Sequence, residues 1–278
     1  MPANSTSTRG AIIAIVSLLG STALPAQQYW AERGAGALLR TDLLKPFFKG
    51  DGNQFLNGTV ALSGSGRIGT SVRLEAEVPL ARAGFDAGTL PSQSSIRFGN
   101  PYLGVQFHQS DRPWSGRIGV RLPLASEPST AAGLGALGVG VLADPDRLEA
   151  YLPNVMTVRT DAEVRSVTVG GFLIGAKFGS SLLIPTKGES GDPELFGDYG
   201  VRGGYESPSV RATVGLTGRL LATESGLSFS DRTFHAITGA VDLRRGAVRP
   251  SVMIRIPLDS AARDAAGAIL GIGLTVVL

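Results

Sequence analysis

The feature that most constrains this chain is a hydrophobic period of two, held over unusually long stretches. From Arg67 to Leu80, Ile68, Thr70, Val72, Leu74, Ala76, Val78 and Leu80 share one face, and Arg67, Ser71, Arg73, Glu75 and Glu77 share the other. Successive strand side chains point to opposite sides, whereas a helix would mix the two sets around its circumference, so this segment is predicted as a strand. The pattern returns where Ile118, Val120, Leu122 and Leu124 alternate with Arg117, Gly119 and Arg121. It recurs over 156–165, 210–220, 248–258 and 268–278. Less regular strands are expected near 53–65, 96–108, 171–184, 195–206 and 233–243.

These strands run to about 10–14 residues, where globular strands average about 5–6. Their second face is rich in Arg, Glu and Gly, which suits a wet interior better than a sandwich core. Segments apolar toward lipid and polar toward a lumen are the pattern of transmembrane barrels. A bilayer offers no water to unpaired backbone groups, so such a sheet must close. The expected fold is all-β, a transmembrane antiparallel β-barrel of twelve strands, within a range of 10–14 that the pattern allows. Parity supports twelve. Short turns at Ser63 to Gly66, Gln109 to Pro113, Glu206 to Pro208 and Arg244 to Gly246 alternate with long connections at 81–95, 125–154, 185–194, 222–232 and 259–267. With short turns periplasmic and long loops outside, an ascending strand must precede 53–65. Ala35 to Leu44 is the candidate, although Leu43-Leu44 and Phe47-Phe48 break its alternation.

The start of the chain fits export. Met1 to Arg9 is polar with one positive charge, Ala11 to Leu19 is an apolar run, and small residues lead to Pro25-Ala26. Residues 1–26 are therefore expected to be a cleaved signal peptide, with residues 27–278 forming the barrel and its long loop at 125–154. A run of nine residues, eight of them apolar, falls short of the roughly 20 needed to span a bilayer as a helix. The expected location is the cell outer membrane.

Composition excludes several functions. Without cysteine there is no disulfide framework and no thiolate site, and only His108 and His235 are available to most zinc or iron sites. The net charge of +3 is spread along the chain, so nucleic acid is not an expected partner. Asp192, Glu194 and Asp198 lack calcium-ligand spacing, and no metal, cofactor or catalytic residue is expected. Gly133, Gly135 and Gly138 match a dinucleotide string by chance, since neither the flanking strand nor the acidic partner is present.

The candidate functional residues are those on the polar strand face: Arg67, Arg73, Glu75, Glu77, Arg117, Arg121, Arg159, Asp161, Glu163, Arg165, Arg211, Arg219, Arg249 and Arg255. Lys177 and Arg202 add bases, and Asp198, Glu206 and Asp242 add acids. The excess of bases suits a water-filled passage with a preference for anions. The alternative is cross-strand pairing that fills a narrow barrel without flux. The 125–154 loop exceeds the length of a mere connection. It either constricts the mouth or forms an ordered surface cap, and the cap is the expectation carried forward. Within it, Asp144 is predicted to cap a short helix with Pro145 at its first position and Leu148, Tyr151 and Leu152 on one face.

The stretch Phe98-Gly99-Asn100-Pro101-Tyr102-Leu103-Gly104-Val105 resembles a segment of the outer-membrane transporter family linked to meta-pathway phenol degradation. That resemblance implies a barrel passing small, often hydrophobic solutes. It also implies delivery by the barrel-assembly machinery, although this chain ends in Leu278 where many such barrels end in Phe. His108-Gln109-Ser110 is similar to the His-x-Ser of outer-membrane lipid A deacylases, but the turn at Asp111-Arg112-Pro113 puts Ser110 on the periplasmic side. The expected function is thus a non-enzymatic channel for a small solute, in contact with outer-membrane lipid. A plugged structural or binding barrel is the main alternative, and a lipid-modifying hydrolase a more distant one.

Overall fold

The structure is a computed structural model that describes residues 36–49, 57–85, 93–108, 112–187, 191–224, 226 and 228–278. Its strands are β1 (Leu38–Phe48), β2 (Gly58–Ile68), β3 (Val72–Phe85), β4 (Gln93–Phe98), β5 (Tyr102–His108), β6 (Trp114–Arg121), β7 (Val155–Val167), β8 (Phe172–Pro185), β9 (Glu194–Glu206), β10 (Val210–Leu221), β11 (Thr233–Leu243), β12 (Val248–Pro257) and β13 (Ala266–Val277). All ladders are antiparallel, and β13 closes onto β1 from Leu38 opposite Val277 to Phe47 opposite Ala268. β4 and β5 pair with the outer and inner halves of the same strand, β3, and so form one stave. The barrel therefore has twelve staves and is closed. The expected signal peptide at 1–26 and Ser110 lie outside the described residues.

Leu39, Leu62, Leu74, Ile118, Val201, Val214, Ile254 and Ile272 are exposed on the outer face, as a lipid-facing wall requires. Short and long connections alternate between the described strands as expected. Two boundaries are corrected. The first turn lies at 69–71, not Ser63 to Gly66, so Arg67 and Ile68 end β2. Gly69 takes φ +70° there, a left-handed conformation that glycine adopts without a Cβ penalty. The alternation runs through this hairpin in phase, which made the end of β2 read as the start of β3. The first stave is Leu38–Phe48 rather than Ala35 to Leu44.

The β4–β5 stave is broken at Gly99-Asn100-Pro101. Gly99 N–H donates to the Pro79 carbonyl at 2.9 Å, and the ladder resumes with Tyr102 opposite Glu77. Two residues, Asn100 and Pro101, thus face the single Val78, a bulge that bends the strand.

The long connection between β6 and β7 does not cap the surface. It turns into the lumen, correcting the expectation of a surface cap. Helix α1 (Ala131–Ala143) packs along β1 to β4, and a 3₁₀ turn (Pro145–Ala150) follows it. The Thr130 hydroxyl caps α1 by accepting from Gly133 N–H at 3.1 Å. Leu137, Val141, Leu148, Tyr151 and Leu152 of this plug meet Ala81, Leu183, Phe196, Leu221, Phe234 and Ala236 of the wall. The outer part of the lumen is therefore an apolar core. Gly133, Gly135 and Gly138 lie inside α1, so the dinucleotide string is indeed a coincidence of a glycine-rich segment.

Candidate functional site in the barrel lumen

Inward positions fall on alternate residues of each stave. Of the polar-face residues, Arg73, Glu75 and Glu77 on β3, Arg117 and Arg121 on β6, and Arg159, Asp161, Glu163 and Arg165 on β7 are all buried inside the barrel. Arg211 and Arg219 on β10 and Arg255 on β12 join them, as do Lys177 and Arg202. Arg67 is instead exposed at the first turn, where its guanidinium donates to the Thr70 carbonyl at 2.6 Å. Arg249 is partly exposed near the start of β12 and bonds the Gly246 carbonyl at 3.2 Å.

The buried charges form ladders across neighbouring staves. Arg117 holds Asp161 through two parallel bonds, Nε to Oδ2 at 2.9 Å and Nη2 to Oδ1 at 3.1 Å, and also faces Glu75 at 3.6 Å. Arg202 pairs with Glu163 at 3.0 Å and Arg211 with Asp242 at 2.9 Å. Arg165 and Arg244 share Glu206 near the short-turn end. Tyr102 lies flat inside the wall, its ring over Gly104 and Gly119, with the Arg121 guanidinium 5.4 Å from its centroid.

The plug adds a second set of charges, of which the sequence suggested a role only for Asp144, as a helix cap. Arg147 donates to Glu77 at 2.5 Å while Arg121 donates to the other oxygen of the same carboxylate at 2.7 Å. Asp144 stands at the N-cap position of the 3₁₀ turn with Pro145 at its start, as expected, but its carboxylate is taken by Arg147 rather than by a backbone N–H. Asp146 faces Arg255 at 3.9 Å. Glu149, fully buried, meets three arginines from three staves: Arg159 at 3.2 Å, Arg219 at 3.0 Å and Arg121 at 3.6 Å. The available signal was the charged run Asp144-Pro145-Asp146-Arg147-Leu148-Glu149 inside an otherwise apolar loop.

Asn100 fixes the plug to the wall. Its side-chain amide donates to the carbonyls of Glu149, Leu152 and Val155 at 3.0, 2.7 and 3.3 Å, and its Oδ1 accepts from Ala125 N–H at 2.7 Å. Its backbone N–H donates to the Ala150 carbonyl at 2.6 Å. The gap between the plug and the β2–β6 wall, lined by Glu75, Glu77, Tyr102, Arg117, Arg147 and Arg159 among others, is about 30 Å³. That is room for a water molecule but not for an organic solute.

Elsewhere, Tyr199 on β9 hydrogen-bonds His235 on β11 at 2.6 Å, and Asp259 lies 3.5 Å from the imidazole. These residues face outward near the rim. Among the described residues, no group of three or more His, Cys, Asp or Glu is placed to hold a metal ion.

No family model matches the chain and no curated protein matches it. Solved structures do. An outer membrane channel from Pseudomonas putida F1 superposes with a TM-score of 0.57 at 10% identity, covering 92% of this chain and 100% of that one. LpxR from Salmonella typhimurium gives 0.50 at 8% identity, covering 87% and 100%. At such identities the likeness is one of fold. The chain is an antiparallel, closed, twelve-stranded barrel of the outer membrane.

Proposed function

We propose that this protein is an outer-membrane channel for a small solute, and that the inward segment 122–154 is its gate. The observation that carries this reading is the charged inner wall. Buried ion pairs replaced by well-packed apolar residues often leave stability unchanged or improve it, so a barrel that needed only to be solid has little reason to keep them. Here charge continues from the level of Glu77 and Glu149 down to Glu206 and Arg244 near the short turns. Such a wall suits water and ions. The plug meets the charged part of this wall through ion pairs and the outer part through apolar packing, so its seat is only partly a hydrophobic core. An apolar core in the outer lumen and a gap of only about 30 Å³ beside Glu77 suit a closed conformation of such a channel.

The likeness at Phe98 to Val105 to transporters linked to phenol degradation points the same way. The reading asks no catalysis of the chain: passage, not turnover, is proposed.

The test is single-channel recording of the detergent-folded protein in a planar bilayer, beside a variant lacking 130–150. The full chain is expected to give rare or small steps and the deletion larger ones. Silence from both, with heat-modifiable gel migration showing folded barrels, would overturn the channel and leave a plugged structural barrel.

A further inference from the structure

Glu149 sits in a site built for an anion. Arg121, Arg159 and Arg219 come from β6, β7 and β10, and each side chain is at most 7% exposed. Three guanidiniums at this depth repel one another unless negative charge lies between them. The plug supplies it with one carboxylate, its two oxygens divided between Arg159 and Arg219. It also supplies two backbone oxygens: Arg219 donates to the Pro145 carbonyl at 2.7 Å and Arg159 to that of Asp146 at 2.5 Å.

The wall alone does not balance these cations. Its own acids here are Glu77, paired with Arg121, and Asp198, 3.8 Å from Arg159 and 3.3 Å from Arg219; Asp161 also lies 3.9 Å from Arg159, but both its oxygens are held by Arg117. If the plug withdraws, these three guanidiniums keep only two carboxylates that no other wall arginine already holds, a shortfall of one unit charge. The donors are also in surplus. Arg219 Nε and Nη2 and Arg121 Nε are buried without a hydrogen-bond acceptor even with the plug in place. A guanidinium fork matches a carboxylate in shape, and a dianion would overshoot the missing charge.

We propose that the Arg121–Arg159–Arg219 cluster is a binding site for a small monocarboxylate solute, and that Glu149 occupies it as a tethered competitor until such a solute displaces it. The inference rests on the channel reading above and names its solute class and its trigger. The plug is thereby an internal mimic of the cargo. A tethered group competes at an effective concentration of about millimolar or more, so the response belongs in the millimolar range of free carboxylate.

The experiment uses the full-length folded protein in a planar bilayer, with acetate exchanged for chloride at constant ionic strength. Wild-type current is expected to rise saturably with acetate, by roughly 5- to 150-fold, as for coupled ligands at linked sites. Phosphate at the same ionic strength is expected to be a poorer trigger. Glu149→Gln is expected to conduct in chloride alone and to lose the acetate response. Wild-type current indifferent to acetate overturns the proposal without needing any variant to fold, and so does a folded Glu149→Gln channel that keeps the wild-type response. If the 130–150 deletion conducts while acetate and Glu149→Gln change nothing, the monocarboxylate site falls and the channel stands. A silent deletion removes both.

Discussion

The side-chain amide of Asn100 donates to the Leu152 carbonyl at 2.7 Å and ties the bulge in the barrel wall to the end of the inserted segment. Asn100 is fully buried, and each of its side-chain partners is a backbone group of the 122–154 connection or of β7. Asn100→Ala leaves those groups without a partner, at about 1–3 kcal/mol for each buried group orphaned. The penalty falls on docking, because the ladders on either side of the bulge do not use this side chain. Limited proteolysis is expected to cut within 122–154 in the variant while gel migration still reports a folded barrel. Wild-type protease resistance would contradict this anchoring role.

The Arg117–Asp161 pair tests whether the charged wall is held by its pairing. Both oxygens of Asp161 are engaged by one guanidinium. Removing one member of a buried pair costs about 3–5 kcal/mol, whereas replacing both by apolar groups is often near neutral. Asp161→Asn is therefore expected to lower the urea midpoint of the folded barrel markedly, and Arg117→Met with Asp161→Leu to recover most of the loss. A double variant as weak as the single one would show that Glu75, also near Arg117, contributes more than the bidentate pair.

The barrel was legible because its signal is local. A period of two needs only a strand and two solvents, and parity recovered even the irregular first stave. The plug was not legible because its signal is spread over distant segments. Leu44 breaks the alternation of β1, and in the structure it points inward onto Ala143, Met253 and Ile269. Phe196, Leu221, Phe234 and Ala236 are likewise apolar at inward positions. Against an expected wet lumen these residues look like noise; they are the seat of the plug. Helix α1 was hidden for another reason. Gly133, Gly135, Gly138 and Gly140 each cost about 1 kcal/mol relative to alanine in a helix, so in water the segment reads as a loop. Inside a barrel its amides have few competing partners and must bond to one another. Asn100 stood within a recognisable motif, but its partners lie 25 to 55 residues away.

Tyr102 supplies a prediction about packing rather than charge. A Cβ placed at Gly119 would lie 2.4 Å from the Tyr102 ring, and one at Gly104 only 2.3 Å from its hydroxyl oxygen. The ring covers backbone that has no side chain of its own, and Arg121 packs above it. Gly119→Val forces the ring off this seat and is expected to destabilise the barrel by about 1–3 kcal/mol, the usual cost of overpacking. Adding Tyr102→Ala to Gly119→Val removes the clash, so the pair is expected to be less damaged than the sum of its single changes. Additive losses in the unfolding midpoints would show that the ring does not depend on the glycines beneath it.

The Tyr199–His235 contact tests the outer wall. The phenol and imidazole bond at 2.6 Å across Gly218, where a Cβ would meet the Tyr199 ring at 2.3 Å. Both side chains face outward and are partly exposed, so the bond is expected to contribute only about 0.5–1.5 kcal/mol. Phenylalanine keeps an aromatic ring and removes the ring nitrogen that bonds the phenol, so His235→Phe is expected to lower stability by no more than that. Gly218→Val, which displaces Tyr199 outright, is expected to cost more. Neither change touches the lumen, and acetate-dependent current should survive both. Loss of that current in a folded His235→Phe barrel would mean that the outer rim and the gate are coupled.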